Sequence, residues 1–233
     1  MTETFRQRVR ALDWKQIAEN MLRDGYALTA PLLTADVCSE LIECYPNDSL
    51  FRSQVVMQRL GFGRGEYKYF KYPLPKPVAA LRTELYPCLA RIANAWAVDK
   101  PFPADLEDFL KICRAAGQEK PTPLLLKYEA GDFNCLHQDL YGDVAFPLQV
   151  TVLLSQPEID HTGGEFVLVE QRPRMQSRPM VIRGQQGQAI LFPTRYRALR
   201  GARGTYRTNL RHGVSQVHSG RRFTLGIIFH DAK

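Results

Sequence analysis

The sequence predicts an α+β protein in which helices come first and a β-sandwich or β-barrel follows. Before residue 120, apolar residues recur mainly at helical spacing. From Pro121 onward, short apolar runs alternate with glycine-rich turns, which is typical of sandwiches and barrels. We therefore expect a mainly helical support region over residues 1–120 and a β-rich core over residues 121–233, joined as one compact unit.

The helical spacing of the first region predicts four helices. The first ends at Asp24-Gly25, and Thr34 caps the second. The predicted helices cover residues 1–24, the residues after Thr34, residues 75–97 and residues 103–116. Between the second and third helix, residues 53–75 contain strand-like pieces, and the aromatic and basic residues that alternate over 67–72 favour an edge ribbon.

Apolar runs bounded by turn residues predict strands throughout the second region. These strands cover residues 124–128, 148–154, 166–169, 187–192, 209–217 and 223–229. The run over 148–154 has few polar residues and predicts a buried strand. Neither an internal repeat nor a low-complexity tract is visible.

Composition places the chain among ordinary globular proteins, with 45% hydrophobic and 24% charged residues in a length of 233. No apolar run approaches the roughly 18–20 residues that cross a membrane. The first residues lack the apolar segment of a secretory signal. The chain has 5 cysteines and no CxxC pair, which favours reduced thiols in a cytoplasm over a disulfide framework or a zinc ribbon.

The net charge of +7 is concentrated in one arginine-rich segment. Residues 172–222 contain no acidic residue. This segment suits a polyanion or an acidic ligand, and we expect nucleic acid to contact the region 172–211. Arg195, Arg197 and Arg200 are the candidate contacts. The alternative is a solvated basic face with no partner.

A His-x-Asp motif followed by a distant histidine carries the chemistry. Residues i and i+2 of an extended chain point to the same side, so His137 and Asp139 can offer a nitrogen and an oxygen to one ion. His212 then arrives from another strand. Two histidines and one carboxylate on one face form the ligand set of non-haem Fe(II), with about three coordination positions left open.

An arginine ten residues beyond the distal histidine completes the pattern. The guanidinium of Arg222 can hold a carboxylate through two parallel hydrogen bonds. Arg221 is a rival for this role. Because neighbouring residues of a strand point to opposite faces, only one of the two can point inward.

Over about its last 115 residues, the chain resembles the Fe(II)- and 2-oxoglutarate-dependent oxygenase superfamily. The matching segments occur in the family's order: 127–132 leading to His137-Gln138-Asp139, Gly163-Gly164-Glu165-Phe166, 187–192, and His212-Gly213-Val214 leading to Gly220-Arg221-Arg222. The motif His-x-Asp is common by chance when it stands alone. Its combination with the other segments is a specific signal.

The resemblance implies a double-stranded β-helix, or jelly-roll, core flanked by N-terminal helices. It implies that Fe(II), 2-oxoglutarate and O2 are used, with His137, Asp139 and His212 as catalytic iron ligands. Arg222, preferred to Arg221 for its offset, would pair with the distal carboxylate of 2-oxoglutarate, and Tyr128 would donate a hydroxyl to the same cosubstrate. Within the superfamily, residues 137–230 are similar to a bacterial branch described as demethylating damaged nucleic acid, which implies DNA repair.

Two other functions stay open at this point. The chain could hydroxylate a protein side chain, as prolyl hydroxylases do, or a small molecule. It could also be a jelly-roll binding module without turnover.

Several residues have plainer interpretations: His161, His218 and His230 as ordinary polar residues, Gly163-Gly164 as a tight turn, and Cys135 as a packing residue. The oligomeric state is not indicated.

Overall fold

The computed structural model describes residues 2–96, 101–139, 142–172, 174–201 and 204–233. Five α-helices occur in these ranges: α1 (Thr2–Arg10), α2 (Trp14–Asp24), α3 (Ala35–Glu43), α4 (Lys76–Ala95) and α5 (Leu106–Ala115). None of them is long and apolar enough to cross a membrane. The helices of the second, third and fourth predicted segments are therefore present within a few residues of their expected bounds.

The single helix expected over residues 1–24 is wrong, because two helices occupy this stretch. The side chain of Asp13 accepts a hydrogen bond from the backbone N–H of Gln16 and starts α2 as its N-cap. Gly25 then ends α2 in the left-handed conformation, with φ +85°. The apolar spacing continues through the break, and this continuity is why the pattern suggested one helix.

The strands, numbered in chain order, have the following bounds: β1 (Ala27–Leu28), β2 (Phe51–Val56), β3 (Gly63–Arg64), β4 (Glu66–Phe70), β5 (Leu124–Glu129), β6 (Phe133–His137), β7 (Leu148–Leu153), β8 (His161–Gly163), β9 (Phe166–Gln171), β10 (Arg178–Ile182), β11 (Ala189–Pro193), β12 (Tyr196–Gly201), β13 (Gly204–Val214) and β14 (Val217–Ile227).

These strands form two antiparallel sheets that make the predicted jelly-roll core. The larger sheet has the order β1-β11-β7-β14-β5-β4-β2, and β8 pairs with β14 beside it. The smaller sheet has the order β10-β9-β13-β6-β3, with β12 paired to β13. Both sheets are open and neither closes into a barrel. Strands from the first half of the chain, β1, β2 and β4, lie in the larger sheet, and β2 is at its edge. The aromatic-basic stretch over 67–72, expected at an edge, forms most of β4, which is paired with β5 on one side and β2 on the other, so the edge position predicted for it is wrong.

Alternation along β14 separates the two faces of the larger sheet. Leu225 and Ile227 are buried in the main hydrophobic cluster together with residues of α4 such as Leu85. The residues at the alternate positions of β14, which include Arg222 and Thr224, point to the opposite face, between the two sheets. The helices therefore cover one face of the larger sheet and leave the other for the smaller sheet.

A buried ion pair fixes α4 to the end of β14. The Arg82 guanidinium lies 2.8 Å from the Asp231 carboxylate, and each residue is 1% exposed. Arg82 also donates to the carbonyl oxygens of Ile228 and Phe229. Because both charges are hydrogen-bonded and desolvated together, this contact holds the helical layer in one position on the sheet.

Candidate metal centre and its cavity

His137, Asp139 and His212 meet between the two sheets. His137 ends β6, and His212 lies directly opposite it on β13, with ring centroids 4.2 Å apart. Asp139 follows two residues after His137, so its carboxylate turns back toward both rings. Its oxygens lie 3.6 Å from Nε2 of His137 and 3.2 Å from Nε2 of His212. The three residues therefore offer ligand atoms that all lie within 4.8 Å of one another.

This spacing fits one metal ion. Two ligand atoms that each lie roughly 2.1 Å from an octahedral ion, at right angles to one another, are about 3 Å apart. The nitrogen–oxygen distances of 3.2 and 3.6 Å are close to that value. Nitrogen and carboxylate donors of this kind suit Fe(II).

The tautomer of His137 is set by its own strand. Nδ1 lies 2.8 Å from the carbonyl oxygen of Cys135, which can only accept, so Nδ1 carries the proton and donates it. The lone pair is then on Nε2, the atom that faces Asp139. Burial lowers the pKa of His137, and His212 beside it lowers it further, which keeps the ring neutral and able to bind a metal.

Aromatic rings hold His212 in place. The imidazole is stacked on Phe166, with centroids 5.8 Å apart and planes 14° apart. Phe192 contacts it from the opposite sheet at 4.8 Å. His212 is 7% exposed, so the ring has little freedom to turn away from Asp139.

Arg222 points into the same cavity from β14, and it is 1% exposed. Among the residues that the structure describes, its Nη1 and Nη2 have no hydrogen-bond partner. Burial lowers the pKa of the guanidinium, whereas Tyr128 and Glu165 raise it. A buried guanidinium without hydrogen bonds is costly, so this site calls for an anionic ligand.

Gly164 makes room for Arg222. Its backbone has φ +70°, and a Cβ at this position would lie 2.7 Å from Cδ of Arg222. The motif Gly163-Gly164, interpreted from the sequence as a tight turn only, therefore also clears space for the arginine stem.

Tyr128 lies beside Arg222 at the same level of the sheet, since the two residues are paired in register. Its ring centroid is 5.4 Å from Cζ of Arg222, and Asn134 donates to its hydroxyl over 3.3 Å. Burial raises the pKa of Tyr128 to about 12, although Arg222 lowers it. The phenol is therefore protonated at neutral pH and able to donate a hydrogen bond into the cavity.

Arg221 lies on the other face of β14 and is exposed. It is paired in register with Glu129, whereas Arg222 is paired with Tyr128. Of the two rival arginines, only Arg222 lines the cavity that contains the two histidines and Asp139.

The cavity has a volume of about 260 Å³ and is lined from both sheets. It contains polar residues that the sequence did not indicate, namely Asn134, Gln149, Thr151 and Thr224. Thr224 could have been found, because it lies two residues after Arg222 and must share its face of the strand. Gln149 carried no signal, since it belongs to a run that predicts only a buried strand.

Part of the predicted nucleic-acid contact is wrong. Arg197 is 0% exposed, and its Nη2 lies 2.8 Å from the carboxylate of Glu170. Glu170 also accepts from Arg172 and is itself 1% exposed. Glu170 precedes the segment without acidic residues, and the fold of the smaller sheet places its carboxylate next to two arginines of that segment, Arg172 and Arg197. Arg197 is thus a structural residue and not a surface contact.

Other arginines of the segment remain at the surface. The exposed ones are Arg174, Arg178, Arg183, Arg195, Arg207 and Arg211. Arg183 lies 3.5 Å from the carboxylate of Glu165, and the guanidinium of Arg195 lies 4.5 Å from the ring of Tyr196. The side chain of Arg200 lies outside the described residues.

Cys135 was interpreted as a packing residue, and this is wrong because its side chain is exposed. It contributes its backbone oxygen, which holds His137. His230 is buried and accepts from the backbone N–H of Phe146 over 3.1 Å, as expected of an ordinary polar residue. His161 is also buried, with Nδ1 3.0 Å from the carbonyl oxygen of Gly163, whereas His218 is exposed.

Residues 65–232 match the model of the Oxygenase-NA family, described as an oxygenase catalysing oxidative methylation of damaged DNA. Two curated proteins of Mycobacterium tuberculosis, from strains CDC 1551 and H37Rv, are each 49% identical to this chain over 167 residues. That alignment covers 70% of this chain and 72% of either relative, and both are named as uncharacterised proteins.

Solved structures share the fold. A prolyl-4-hydroxylase of Pseudomonas putida superposes with a TM-score of 0.54 at 14% identity, over 94% of this chain and 100% of that one. An oxidoreductase of the 2OG-Fe(II) oxygenase family from Burkholderia pseudomallei superposes with a TM-score of 0.53 at 15% identity, over 94% of this chain and 92% of that one. At these identities the likeness concerns the fold alone.

Proposed function

This chain belongs to the Oxygenase-NA family, and from that premise we propose that it removes methyl groups oxidatively from alkylated bases of nucleic acid. It is a 2-oxoglutarate-dependent oxygenase, an oxidoreductase that uses Fe(II), 2-oxoglutarate and O2. The family's description names damaged DNA, and an oxygenase acts on a methyl group by oxidising its carbon.

One observation carries the assignment of the site: a buried guanidinium without hydrogen-bond partners faces the same cavity as a His-Asp-His cluster. His137, Asp139 and His212 would hold the iron from one side. Arg222 would bind the distal carboxylate of 2-oxoglutarate through its two free nitrogens. Tyr128, with its proton retained, would donate to the same carboxylate.

When bound, Fe(II) with 2-oxoglutarate and O2 supplies the oxidising power to hydroxylate a C–H bond. The chain's own residues position the iron ligands and the cosubstrate. The apolar rings of Phe166 and Phe192 pack on the two sides of the His212 ring and hold it in place. Arg222, fixed on β14, would bind one end of the cosubstrate and so set the direction in which the other end points.

On an N-methyl base, the overall reaction balances simply. The methyl carbon gains one oxygen atom of O2, the other enters succinate, and CO2 leaves from 2-oxoglutarate. The hydroxymethyl group then leaves as formaldehyde. The electron pair of the broken N–C bond returns to the ring nitrogen of the base, and the hydroxyl proton is released to solvent.

Two features support nucleic acid as the substrate. Six exposed arginines of the segment 172–211 give the surface a positive charge, which is the usual basis of binding to phosphates. Gln138 lies between the candidate ligands His137 and Asp139, and its side-chain amide donates to the backbone oxygens of Arg195 and Leu210. These hydrogen bonds connect the arginine-rich region directly to the site. A base must be single-stranded or flipped out to enter the cavity.

The test uses the purified enzyme with Fe(II), 2-oxoglutarate and a single-stranded oligonucleotide that carries 3-methylcytosine or 1-methyladenine. We expect equal amounts of succinate and formaldehyde, and a repaired base by mass spectrometry. Binding should weaken steeply with salt, because phosphate contacts release counterions. No formaldehyde from these oligonucleotides, together with a gain of one oxygen on a peptide or metabolite, would replace this proposal with a hydroxylase.

A further inference from the structure

A second buried polar group lines the cavity without a partner. Gln149 on β7 is 3% exposed, and its amide Nε2 has no hydrogen-bond partner among the residues that the structure describes. Burying an amide N–H with nothing to accept it is unfavourable by about 1–3 kcal/mol. Because Gln149 lines the cavity, a bound ligand is one group that can supply the missing acceptor.

The sheet register places Gln149 far from Arg222. Val150 is paired with Ile227 on β14, so Gln149 is level with Ile228, six residues beyond Arg222. At roughly 3.3 Å per residue, the two levels are about 20 Å apart along the strand. This span is longer than a five-carbon diacid, so a cosubstrate bound at Arg222 does not extend to the level of Gln149.

The same register places Gln149 on the metal's side of the cavity. Gln149 is paired with Phe192 on β11, and the ring of Phe192 lies 4.8 Å from that of His212. The metal centre therefore lies nearer to Gln149's end of the sheet than Arg222 does. A group bound there would be next to the reacting position and beyond the cosubstrate.

The surroundings of Gln149 define what could bind. Leu124, Phe192 and Ile228 line this end of the cavity and are all buried and apolar. An amide donor within apolar walls suits a flat, mostly apolar group with one hydrogen-bond acceptor. An alkylated base offers flat faces that can pack on apolar walls, and a carbonyl oxygen or ring nitrogen at its edge as the acceptor.

The geometry points to Gln149 as a specificity-determining residue whose amide N–H donates to an acceptor at the edge of the substrate base. This inference rests on the proposed function, because it names the contact by which the base would be recognised. A site built to donate a hydrogen bond discriminates strongly against ligands that lack the acceptor.

The test compares the full-length wild-type protein with Gln149→Met, which keeps the length of the side chain and removes its polar group. Gln7→Met makes the same change on the exposed surface of α1 and serves as the control. Two affinities are measured in the absence of O2 with Mn(II) in place of iron. One is the affinity for 2-oxoglutarate, and the other is for oligonucleotides with and without 3-methylcytosine or 1-methyladenine.

We expect Gln149→Met to bind 2-oxoglutarate within about twofold of wild type and to lose about tenfold of its preference for a methylated oligonucleotide. A tenfold loss of 2-oxoglutarate affinity would overturn the inference, because Gln149 would then be a cosubstrate contact. An unchanged preference would overturn it as well. If wild type retains the preference and forms formaldehyde in that case, the proposed function stands and only the role of Gln149 fails.

A second measurement needs no variant. In wild type with Zn(II) bound, the side-chain amide signals of Gln149, assigned by NMR, should shift when the methylated oligonucleotide is added. They should not shift when 2-oxoglutarate is added alone. The reverse pattern would overturn the inference. If wild type binds 2-oxoglutarate but shows no preference for a methylated oligonucleotide, the nucleic-acid substrate and this contact are both overturned.

Discussion

His212 lies directly opposite His137 on the neighbouring antiparallel strand, and their rings are 4.2 Å apart. Since side chains of directly opposed residues share one face, the pairing of β13 with β6 alone brings the two imidazoles together. A slip of one residue would send His212 to the outer face. The candidate metal centre thus depends on a strand register, and Asp139 only has to turn back from the end of β6.

The first prediction concerns metal binding. His137→Ala and Asp139→Ala should each lower the affinity for Co(II) or Mn(II) by more than about a hundredfold, since loss of a direct ligand exceeds the effect of losing a supporting contact. His218→Ala, which removes an exposed imidazole, should bind like wild type. Calorimetry under anaerobic conditions measures this. Equal affinity in all variants would show that the ion binds elsewhere.

The second prediction concerns Arg222. Arg222→Met should raise the Kd for 2-oxoglutarate by roughly 100- to 10,000-fold, because two charge-assisted hydrogen bonds are lost. The same variant should raise the thermal midpoint of the ligand-free protein, since a buried charge without hydrogen bonds is replaced by an apolar chain. Arg221→Met, its exposed neighbour, is the matched control for both measurements.

The opposite result would be informative. If Arg221→Met weakened 2-oxoglutarate binding and Arg222→Met did not, the cosubstrate would lie on the other face of β14. A destabilised ligand-free Arg222→Met would indicate that the guanidinium is held by the protein itself.

The third prediction uses two glycines with similar backbones. Gly164 has φ +70° and Gly61 has φ +71°, but a Cβ added at Gly61 meets nothing within 4 Å. Both alanine variants should lose about 1 kcal/mol of stability from the left-handed backbone. Only Gly164→Ala should also weaken 2-oxoglutarate binding, because its methyl group displaces Arg222. Equal 2-oxoglutarate affinity in both variants would contradict this role of Gly164.

The fourth prediction separates structural from surface arginines. Glu170→Gln should lower the free energy of unfolding by about 3–5 kcal/mol, because it leaves the buried guanidinium of Arg197 without its counter-charge. Arg195→Gln, at an exposed position, should change stability by less than about 0.5 kcal/mol and weaken oligonucleotide binding instead. Denaturant titration and fluorescence anisotropy measure the two effects. A stable Glu170→Gln protein would argue against the buried pair.

The fifth prediction concerns pH. Burial lowers the pKa of His230 from its ordinary value of 6.5 to about 4. Between these values the unfolded chain binds the proton and the folded chain does not, so stability is complete above about pH 7 and falls as the pH drops toward 4. The loss is at most about 3 kcal/mol. His230→Gln, which retains an acceptor for Phe146, should lack this part of the pH dependence in denaturant titrations from pH 7 to pH 5.

Local patterns predicted much of this fold. The helices over 75–97 and 103–116 and the apolar strand over 148–154 follow from periodicity that their tertiary setting reinforces. The failures also have local causes. Asp13 starts a new helix although the apolar spacing continues across it. Strand β12 has arginines at two of its six positions and β10 begins with Arg178-Pro179, so hydrophobic alternation is weak in both.

The sequence by itself determined the kinds of chemical groups in this protein and their order along the chain: a His-x-Asp pair, a distant histidine and an arginine beyond it. Only the tertiary structure decided which of them meet. Strand register brings His212 to His137, turns Arg222 inward and Arg221 outward, buries Arg197 against Glu170, and leaves Gln149 facing the cavity. Such contacts depend on pairings between residues far apart in the chain, and a local pattern contains no information about its partner strand.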